Sequence, residues 1–276
     1  MILKRKSIIP GFRLSLAYTS AWLSLIVLVP LVAMAIKSSN LGWAEFWRVV
    51  TEPRVMASYR VSFGCALLAA CVNLAMGLPI AWVLVRYDFP GRRFLDAALD
   101  LPIALPTAVA GITLTALFAP NGWLGSRLEP LGIHVAYTPL GITVALIFIG
   151  LPFIVRTVQP VLEELDSEYE EAAACLGASW WQTIYKVLWP ELRGASLTGF
   201  TLAFARAVGE YGSVVFIAGN MPMKTEITPL LIITKLEEYD YTGATALGTA
   251  SLVLSFIFLL AVNRLQRHYE LKSGGS

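Results

Sequence analysis

The sequence predicts an all-α membrane protein with six transmembrane helices. Three observations lead to this prediction: the chain is 57% hydrophobic, only 14% of its residues are charged, and its apolar residues form long runs. Soluble domains carry about 25% charged residues, and a helix needs about 20 apolar residues to cross a bilayer. The net charge of +2 also gives no basic surface of the kind that nucleic-acid binding requires.

Five apolar runs contain no charged residue, and a sixth is interrupted only by Arg206 and Glu210. The first run follows a basic N-terminus but is longer than the roughly 7–15 apolar residues of a signal peptide, so we expect it to be retained as a span. The predicted spans are residues 14–36, 61–85, 101–119, 135–155, 194–220 and 241–263.

Six crossings place both termini on one side of the membrane. The loops on that side carry thirteen Lys and Arg residues, and the opposite loops carry seven. Because basic loops stay in the cytoplasm, both termini are expected there. On the external side, Trp43, Phe46 and Trp47 recur at helical spacing and predict an interfacial helix. Residues 120–138 contain Asn-Gly and two prolines, which predict turns.

A polar segment, residues 163–195, separates the fourth and fifth predicted spans. Ser167 and Glu170 have the spacing of a capping box. In this motif the serine side chain accepts from the backbone amide of the glutamate, and the glutamate side chain accepts from the backbone amide of the serine. This spacing predicts a short helix over about residues 168–175. Gly177 then suits the left-handed position that ends many helices.

A second capping box, Ser179 with Gln182, predicts another short helix over about residues 180–188. Pro190 is expected to stop this helix, because proline lacks an amide donor and clashes with the preceding turn. The sequence therefore predicts two short helices that meet at a fixed angle around Gly177.

The surface of these two helices is amphipathic. Trp180, Ile184 and Val187 lie at i, i+4 and i+7, and Ala172 and Cys175 line the first helix. Such a surface suits insertion into a groove on a partner. The alternative is that the segment packs only on its own helices. Its acidic residues favour water or a basic partner nearby: Glu163, Glu164, Asp166, Glu168, Glu170 and Glu171.

The segment resembles the EAA loop of type I ABC importer permeases. The shared features are Glu171-Ala172-Ala173, then Gly177 after three residues, then Pro190 thirteen positions later. Val187 and Trp189 stand where the family usually has Ile and Leu. The resemblance implies a coupling helix that docks in a cleft of an ATPase subunit. The residues to which it assigns this role are Glu171, Ala172, Ala173, Gly177, Trp180, Ile184 and Pro190.

Further strings, residues 100–111, 156–165, 209–212 and 216–220, are similar to the T-type permease subunits of bacterial sulfate/thiosulfate importers. That resemblance implies the type I ABC importer permease fold and a bacterial inner-membrane location. It also implies three partners: a paralogous W-type permease, a dimer of ATPase subunits that bind ATP and Mg²⁺, and an external sulfate-binding protein. This chain itself is expected to bind no cofactor. Import of molybdate or tungstate is the nearest alternative.

No catalytic or metal site is expected in this chain. It has no Gly-x₄-Gly-Lys-Ser/Thr loop for binding phosphate, so ATP hydrolysis must occur in a partner. Its two histidines, His134 and His268, lie outside the spans, and its three cysteines have no metal or disulfide spacing. An ATP-independent carrier is a further alternative, but such carriers usually show internal repeats and more buried charges.

Arg206 and Glu210 share one helix face inside the predicted fifth span. A charge at mid-bilayer costs about 2.5–3.5 kcal/mol on insertion scales, so such residues face a cavity or each other. In one interpretation Arg206 offers positive potential to an anion in the pore. In the other, the two side chains form a pair that only positions helices.

Pro102 and Pro106 interrupt the third predicted span, because each removes a backbone donor. Irregular backbone at this depth is tolerated only beside protein or water, which places residues 101–110 on a translocation path or at a subunit seam. The helix near Thr107 could then direct its positive N-terminal end at an anion. A simple packing kink is equally compatible. Three glycines in the fifth predicted span permit close helix approach or a bend: Gly209, Gly212 and Gly219.

We therefore divide the chain into three regions. Residues 1–56 hold the N-terminal stub, the first span and the interfacial helix. Residues 57–265 form the transmembrane core with its coupling loop, 163–195. Residues 266–276 form a cytoplasmic tail.

Overall fold

A computed structural model describes residues 11–273, with side chains throughout except at positions 13, 263 and 265–273. The predicted cytoplasmic residues Lys4, Arg5 and Lys6 and residues 274–276 of the predicted tail lie outside this part. Within it every regular element is helical. The predicted all-α class is therefore confirmed.

The first half of the described chain contains two membrane helices, an interfacial helix between them and a broken helix. The first membrane helix consists of α1 (Phe12–Leu23), a π-helical turn (Ser24–Leu28) and α2 (Val29–Ser39). The next elements are α3 (Trp43–Val50), α4 (Pro53–Arg86), α5 (Arg92–Leu99), α6 (Leu101–Ala104) and α7 (Thr107–Phe118).

The second half begins with the predicted turn region, which holds only α8 (Gly125–Leu128) and a 3-10 turn (Glu129–Leu131). Two long helices, α9 and α12, then flank the predicted docking segment. The elements in order are α9 (Pro139–Glu164), α10 (Glu168–Cys175), α11 (Trp180–Thr183), a second π turn (Ile184–Leu188), α12 (Trp189–Val208), α13 (Val214–Ile217), α14 (Thr228–Glu237) and α15 (Tyr241–Ser273).

Four helical segments of the described chain are long and apolar enough to cross a bilayer: Leu14–Ser39, α4, α9 and residues Tyr241–Val262 of α15. A bent pair, Arg92–Ala104 with Thr107–Phe118, forms a fifth crossing if its two parts are taken together, and they meet at 110°. These five match five of the six predicted spans.

The remaining predicted span, residues 194–220, is not one helix. It divides at Val208 into α12, a turn and the short helix α13. Glu191 and Arg193 at the start of α12, and Arg206 near its end, also leave it less apolar than the other spans. The division follows from two poor helix formers, Gly209 and Gly212, in the turn.

The centre of the fold is the packing of α4 against α9, with α12 alongside. A Cβ atom at Gly77 would lie 2.6 Å from Ile154 Cγ2, and one at Gly150 would lie 2.4 Å from Asn73 Nδ2. Such close approach is typical of membrane helices with small residues at the interface. Towards the docking segment the three helices share one buried apolar cluster: Ala81, Leu84, Ile154, Val155, Val158, Leu162, Leu188, Leu192 and Ala203.

At the opposite end, polar contacts tie α4 to the segment before α14. Arg54 donates from Nε and Nη2 to the two carboxylate oxygens of Glu226, at 2.8 and 2.7 Å. Glu226 is only 2% exposed, so its charge depends on this partner. The amide of Thr228 donates to Ser62 Oγ at 2.7 Å.

A helix, α3, is present where the sequence predicts an interfacial one. Its aromatic side chains contact each other, with ring centroids 5.6 Å apart for Trp43 and Trp47 and 6.5 Å apart for Trp43 and Phe46. Trp43 and Trp47 are exposed, as expected for aromatic side chains at the level of lipid headgroups.

Candidate functional site

The docking elbow, which we define as residues 168–188, begins with the helix that the sequence predicts. After α10 the chain turns at Gly177, whose φ is 77°. The amide of Ala178 donates to Ala173 O at 3.0 Å, and that of Gly177 donates to Ala174 O at 2.9 Å. These bonds form a Schellman motif, which satisfies carbonyls at the helix end and favours glycine at its left-handed position.

The second predicted capping box is confirmed at the start of α11. The amide of Ser179 donates to Gln182 Oε1 at 2.8 Å, and the amide of Gln182 donates to Ser179 Oγ at 3.4 Å. The angle between the two elbow helices is therefore set on both sides, by Gly177 and by Ser179.

The first predicted capping box is wrong. Ser167 makes no side-chain bond to the free amides of α10. Glu170, which would complete the box, instead forms an ion pair with Arg86. The carboxylate of Asp166 accepts from the amide of Glu168, at 3.3 Å. The carboxylate of Glu170 therefore has a cationic partner in place of the backbone amide that a capping box would provide.

The expectation that Pro190 stops the second helix is also wrong. α11 continues through the π turn into α12, where Pro190 lies in the first turn. The π turn adds a residue ahead of the proline, so that Trp189 N donates to Ile184 O, five residues back. The conflict between the proline ring and a regular helical turn is thereby relieved. The π turn Ser24–Leu28 precedes Pro30 in the same way.

The docking elbow exposes aromatic and apolar side chains. Trp180, Trp181 and Tyr185 are each more than half exposed, and the rings of the two tryptophans are 4.7 Å apart. Leu176, next to the corner, is 88% exposed. Tyr169 on α10 is exposed as well. Contiguous exposed apolar surface of this kind marks an interaction site.

The predicted apolar stripe differs in exposure along its length. Trp180 is more than half exposed, whereas Ile184 and Val187 are half-buried, with Ile184 packed against the apolar cluster of α4, α9 and α12. Trp180 and Ile184 line one apolar groove beside α4. Sequence reasoning missed Trp181 and Tyr185, although their i, i+4 spacing was a usable signal. Among the other residues predicted to dock, the exposed ones are Glu171, Ala172 and Gly177, and the buried or half-buried ones are Ala173 and Pro190.

Arg86, the last residue of α4, holds the docking elbow in place. Its Nε donates to Glu170 Oε1 at 2.8 Å, and its Nη2 donates to Leu165 O at 2.8 Å. The side chains of Arg86 and Glu170 are 16% and 22% exposed. Sequence reasoning missed Arg86, because a cation at the end of an apolar run is equally typical of a membrane boundary.

Arg156 of α9 forms a second cluster, with α5 and α6. Its Nε and Nη2 donate to the two carboxylate oxygens of Asp100 at 2.9 and 2.7 Å. Its Nη1 donates to Asp96 Oδ1 at 2.7 Å and to Gln159 Oε1 at 2.8 Å, and its Nη2 also donates to Asp96 O at 2.8 Å. All five N–H donors of the guanidinium are used. Asp100 and Arg156 begin two of the strings on which the family resemblance rests.

The third apolar run is broken where its prolines predict. α6 ends at Ala104, Leu105 and Pro106 are extended with ψ of 138° and 127°, and α7 begins at Thr107. Pro102 is buried in the first turn of α6. We call residues 101–118 the pore segment.

The turn after α12 packs directly on the pore segment. A Cβ atom at Gly212 would lie 2.2 Å from Thr107 Oγ1, and one at Gly111 would lie 2.3 Å from Ser213 O. Neither position can hold a larger residue without a shift of its neighbour. The first turn of α7, including Thr107, is therefore covered on this side by residues 209–213.

Arg206 and Glu210 are paired through Arg206 Nη1 and Glu210 Oε2. The other carboxylate oxygen accepts from the amide and the hydroxyl of Ser213, at 2.9 and 3.1 Å. The Glu210 side chain is 3% exposed and that of Arg206 is 35% exposed. The carboxylate is thus satisfied inside the protein, while part of the guanidinium reaches an open face.

Apolar side chains are exposed on both the pore segment and α12. Leu105, Val109 and Ile112 are exposed on the pore segment, and Leu202 is exposed on α12, one turn before Arg206. Among the residues whose side chains are described, no cluster of His, Cys, Asp or Glu is arranged to hold a metal ion. The site therefore has an exposed aromatic elbow, held to α4 by Arg86, and a broken helix pair, held to α9 by Arg156.

Comparison with known proteins adds three findings. Residues 73–272 match the family described as binding-protein-dependent transport system inner membrane component. The chain is 49% identical over 264 residues to the sulfate transport system permease protein CysT of Escherichia coli strain K12, which covers 96% of this chain and 95% of that protein. It is 50% identical over 249 residues to the protein of the same name from Synechocystis, with 90% and 87% covered.

Among solved structures, a chain of a bacterial alginate ABC transporter, crystallised with an alginate-bound periplasmic protein, has a similar fold. The TM-score is 0.76, with 93% of this chain and 94% of that chain covered. At 15% sequence identity this likeness concerns the fold alone.

We predict that Gly177→Ala loosens the docking elbow. A Cβ atom in the left-handed conformation costs roughly 1–2 kcal/mol, which corresponds to about a five- to thirtyfold rise in local opening. Hydrogen exchange at residues 173–178 should increase accordingly. Gly194→Ala is the matched control, because Gly194 has an ordinary helical φ and open space around it. Equal exchange in the two variants would contradict the prediction.

Proposed function

The chain belongs to the family of binding-protein-dependent transport system inner membrane components, and we propose that it is the permease subunit of an ATP-driven importer of sulfate or thiosulfate. The observation that carries this proposal is 49% and 50% identity, over nearly the whole chain, to permeases that are named for sulfate transport. Import of molybdate or tungstate is not favoured by these relatives. An ATP-independent carrier would leave the exposed docking elbow without a role.

The chain is a permease component and not itself an enzyme. ATP and Mg²⁺ belong to partner ATPase subunits, and the docking elbow is the surface that seats in them. Trp180 supplies an exposed aromatic anchor and Glu171 an exposed carboxylate. Gly177 fixes the corner. Ala172 and Ala173 have small side chains, which allow α10 to approach a partner closely. Ile184 and Pro190 join the docking surface to α12.

The exposed sides of the pore segment and α12 are where a second permease packs. The partly exposed Arg206 guanidinium lies one turn after Leu202 on α12, and charge or irregular backbone at membrane depth is tolerated only beside protein or water. We assign these exposed sides to a paralogous W-type permease. An external sulfate-binding protein delivers the anion on the opposite side from the docking elbow.

The chain is a multi-pass membrane protein, and we propose that it lies in a bacterial inner membrane with both termini in the cytoplasm. The excess of Lys and Arg on the side of the termini supports this orientation. It places the docking elbow in the cytoplasm and α3 outside. The transmembrane core is then residues 57–265, with the coupling loop at 163–195.

The anion path runs along the pore segment and the end of α12. A dianion that leaves water needs compensating positive potential, yet a strongly attractive site would trap it. Arg206, neutralised in part by Glu210, meets both requirements. Pro102 and Pro106 break the helix beside the path, and Thr107 begins the next helix. When the ATPase dimer closes, the docking elbow moves and the pore opens outward to receive the anion.

Reconstitution of the permease pair, the ATPase and the binding protein into proteoliposomes tests this function. We expect sulfate accumulation that requires ATP inside the vesicle and that thiosulfate inhibits. Preferential accumulation of molybdate or tungstate would favour the related importers. Accumulation without ATP would favour a secondary carrier.

We predict that Trp180→Ala weakens binding of the ATPase subunit to the purified permease pair by tenfold or more, because truncation of a central interface tryptophan commonly costs about 2 kcal/mol. Titration with labelled ATPase measures the effect. Trp43→Ala is the matched control, since Trp43 is at least as exposed but lies on α3. Equal losses in both variants would show that the docking elbow is not the contact.

We predict that Arg206→Gln lowers sulfate uptake at least tenfold without loss of assembly, because the path loses the positive potential that the guanidinium offers to the dianion. The double variant Arg206→Gln, Glu210→Gln separates the two interpretations. If Arg206 acts on the anion, the double variant stays inactive. If the pair only positions helices, removing both charges restores uptake, and failed assembly of the single variant supports the same conclusion.

A further inference from the structure

The contacts of Arg86 bind two segments to the end of one helix. Leu165, whose carbonyl accepts from Nη2 at 2.8 Å, is the residue that closes α9. Glu170, which accepts from Nε at 2.8 Å, lies in the first turn of α10. A carbonyl at a helix end lacks an intrahelical donor, and both side chains of the ion pair are mostly buried. The docking elbow is therefore attached to α4 and to the end of α9 through one side chain.

The contacts of Arg156 attach the other moving part to the same helices. Asp96 lies on α5 and Asp100 immediately precedes α6. Both carboxylates bond to Arg156, which lies on α9. These helices are the cytoplasmic half of the bent pair that ends in the pore segment. A planar guanidinium with every donor used restricts both distance and orientation.

The helices α4 and α9, which carry the two arginines, are packed closely against each other. Gly77 approaches Ile154, and Gly150 approaches Asn73, so closely that neither position has room for a Cβ atom. Buried apolar side chains of both helices, including Leu84, belong to one cluster. Close-packed protein interiors transmit strain.

Resting on the proposed function, we infer that Arg86 and Arg156 are positioning residues that connect the docking elbow to the pore segment through the packed helices α4 and α9. Arg86 passes movement of the elbow to α4 and α9. Arg156 passes it from α9 to α5 and α6. Neither residue touches the anion. Through these two residues, movement of the ATPase subunits is coupled to movement of the pore segment.

Hydrogen exchange of the complete complex, with and without ATP plus vanadate, tests this connection without any need for sulfate. In the wild-type complex, trapping the nucleotide state should change exchange both in the docking elbow, residues 168–188, and in residues 92–104. In Arg86→Gln and in the milder Glu170→Gln, the change in residues 92–104 should fall at least threefold, while the change in the elbow persists. In Arg156→Gln the response of residues 92–104 should also be lost.

Two controls make the test specific. Arg93→Gln removes an exposed arginine of α5 for which the described chain shows no ion pair, and the response of residues 92–104 should remain. The exchanged pair Arg86→Glu with Glu170→Arg should recover at least half of the response, which a general loss of stability would not allow.

A full response of residues 92–104 in Arg86→Gln, or no response there in the wild-type complex, would overturn the inference. Failure of the chain to bind an ATPase at all would overturn the proposed function and the inference together. Absence of sulfate transport alongside a normal exchange response would overturn only the substrate assignment.

Discussion

A bilayer interior offers no water to backbone groups, so each amide and carbonyl must find a partner within the protein. Proline makes this requirement hard to meet, because it removes one donor and displaces one carbonyl. The described chain accommodates its prolines in three ways, and Pro79, Pro152 and Pro160 lie inside the long helices α4 and α9. Ahead of Pro30 and Pro190 it inserts π turns and stays helical. At Pro106 it abandons the helix and restarts it at a sharp angle. The shape of the pore segment follows from the lack of water in the bilayer, whereas the helix path at Pro190, in the predicted cytoplasmic loop, follows from the proline ring alone.

The local features of the fold could be predicted from the sequence. The apolar runs predicted the membrane helices, and Gly177 predicted the corner of the docking elbow. Ser179 with Gln182 predicted the cap of its second helix. These features depend on residues within a few positions of each other. Propensity, capping and hydrophobicity therefore suffice to find them.

The features that sequence reasoning missed depend on residues far apart in the chain. Glu170 has the spacing of a capping residue, but Arg86, 84 positions away, takes its carboxylate. Arg156 finds its partners 56 and 60 positions away. Neither spacing follows a local rule. The break of the fifth predicted span after Val208 is different, because it depends on residues close together: Gly209, Gly212 and the bond from Ser213 to Glu210. The apolar residues on both sides of this turn concealed it.

The π turn at Ile184–Leu188 sets the rotational phase of the docking elbow. One extra residue in a helix rotates the part before it by about 100° relative to the part after it. The direction of the aromatic face of α11 relative to α12 is therefore set by one residue more than a regular helix would have. In evolution, gain or loss of one residue at this point would redirect the whole face to a different neighbour while leaving the membrane helix beyond it unchanged, a simple route by which related chains could acquire different companions.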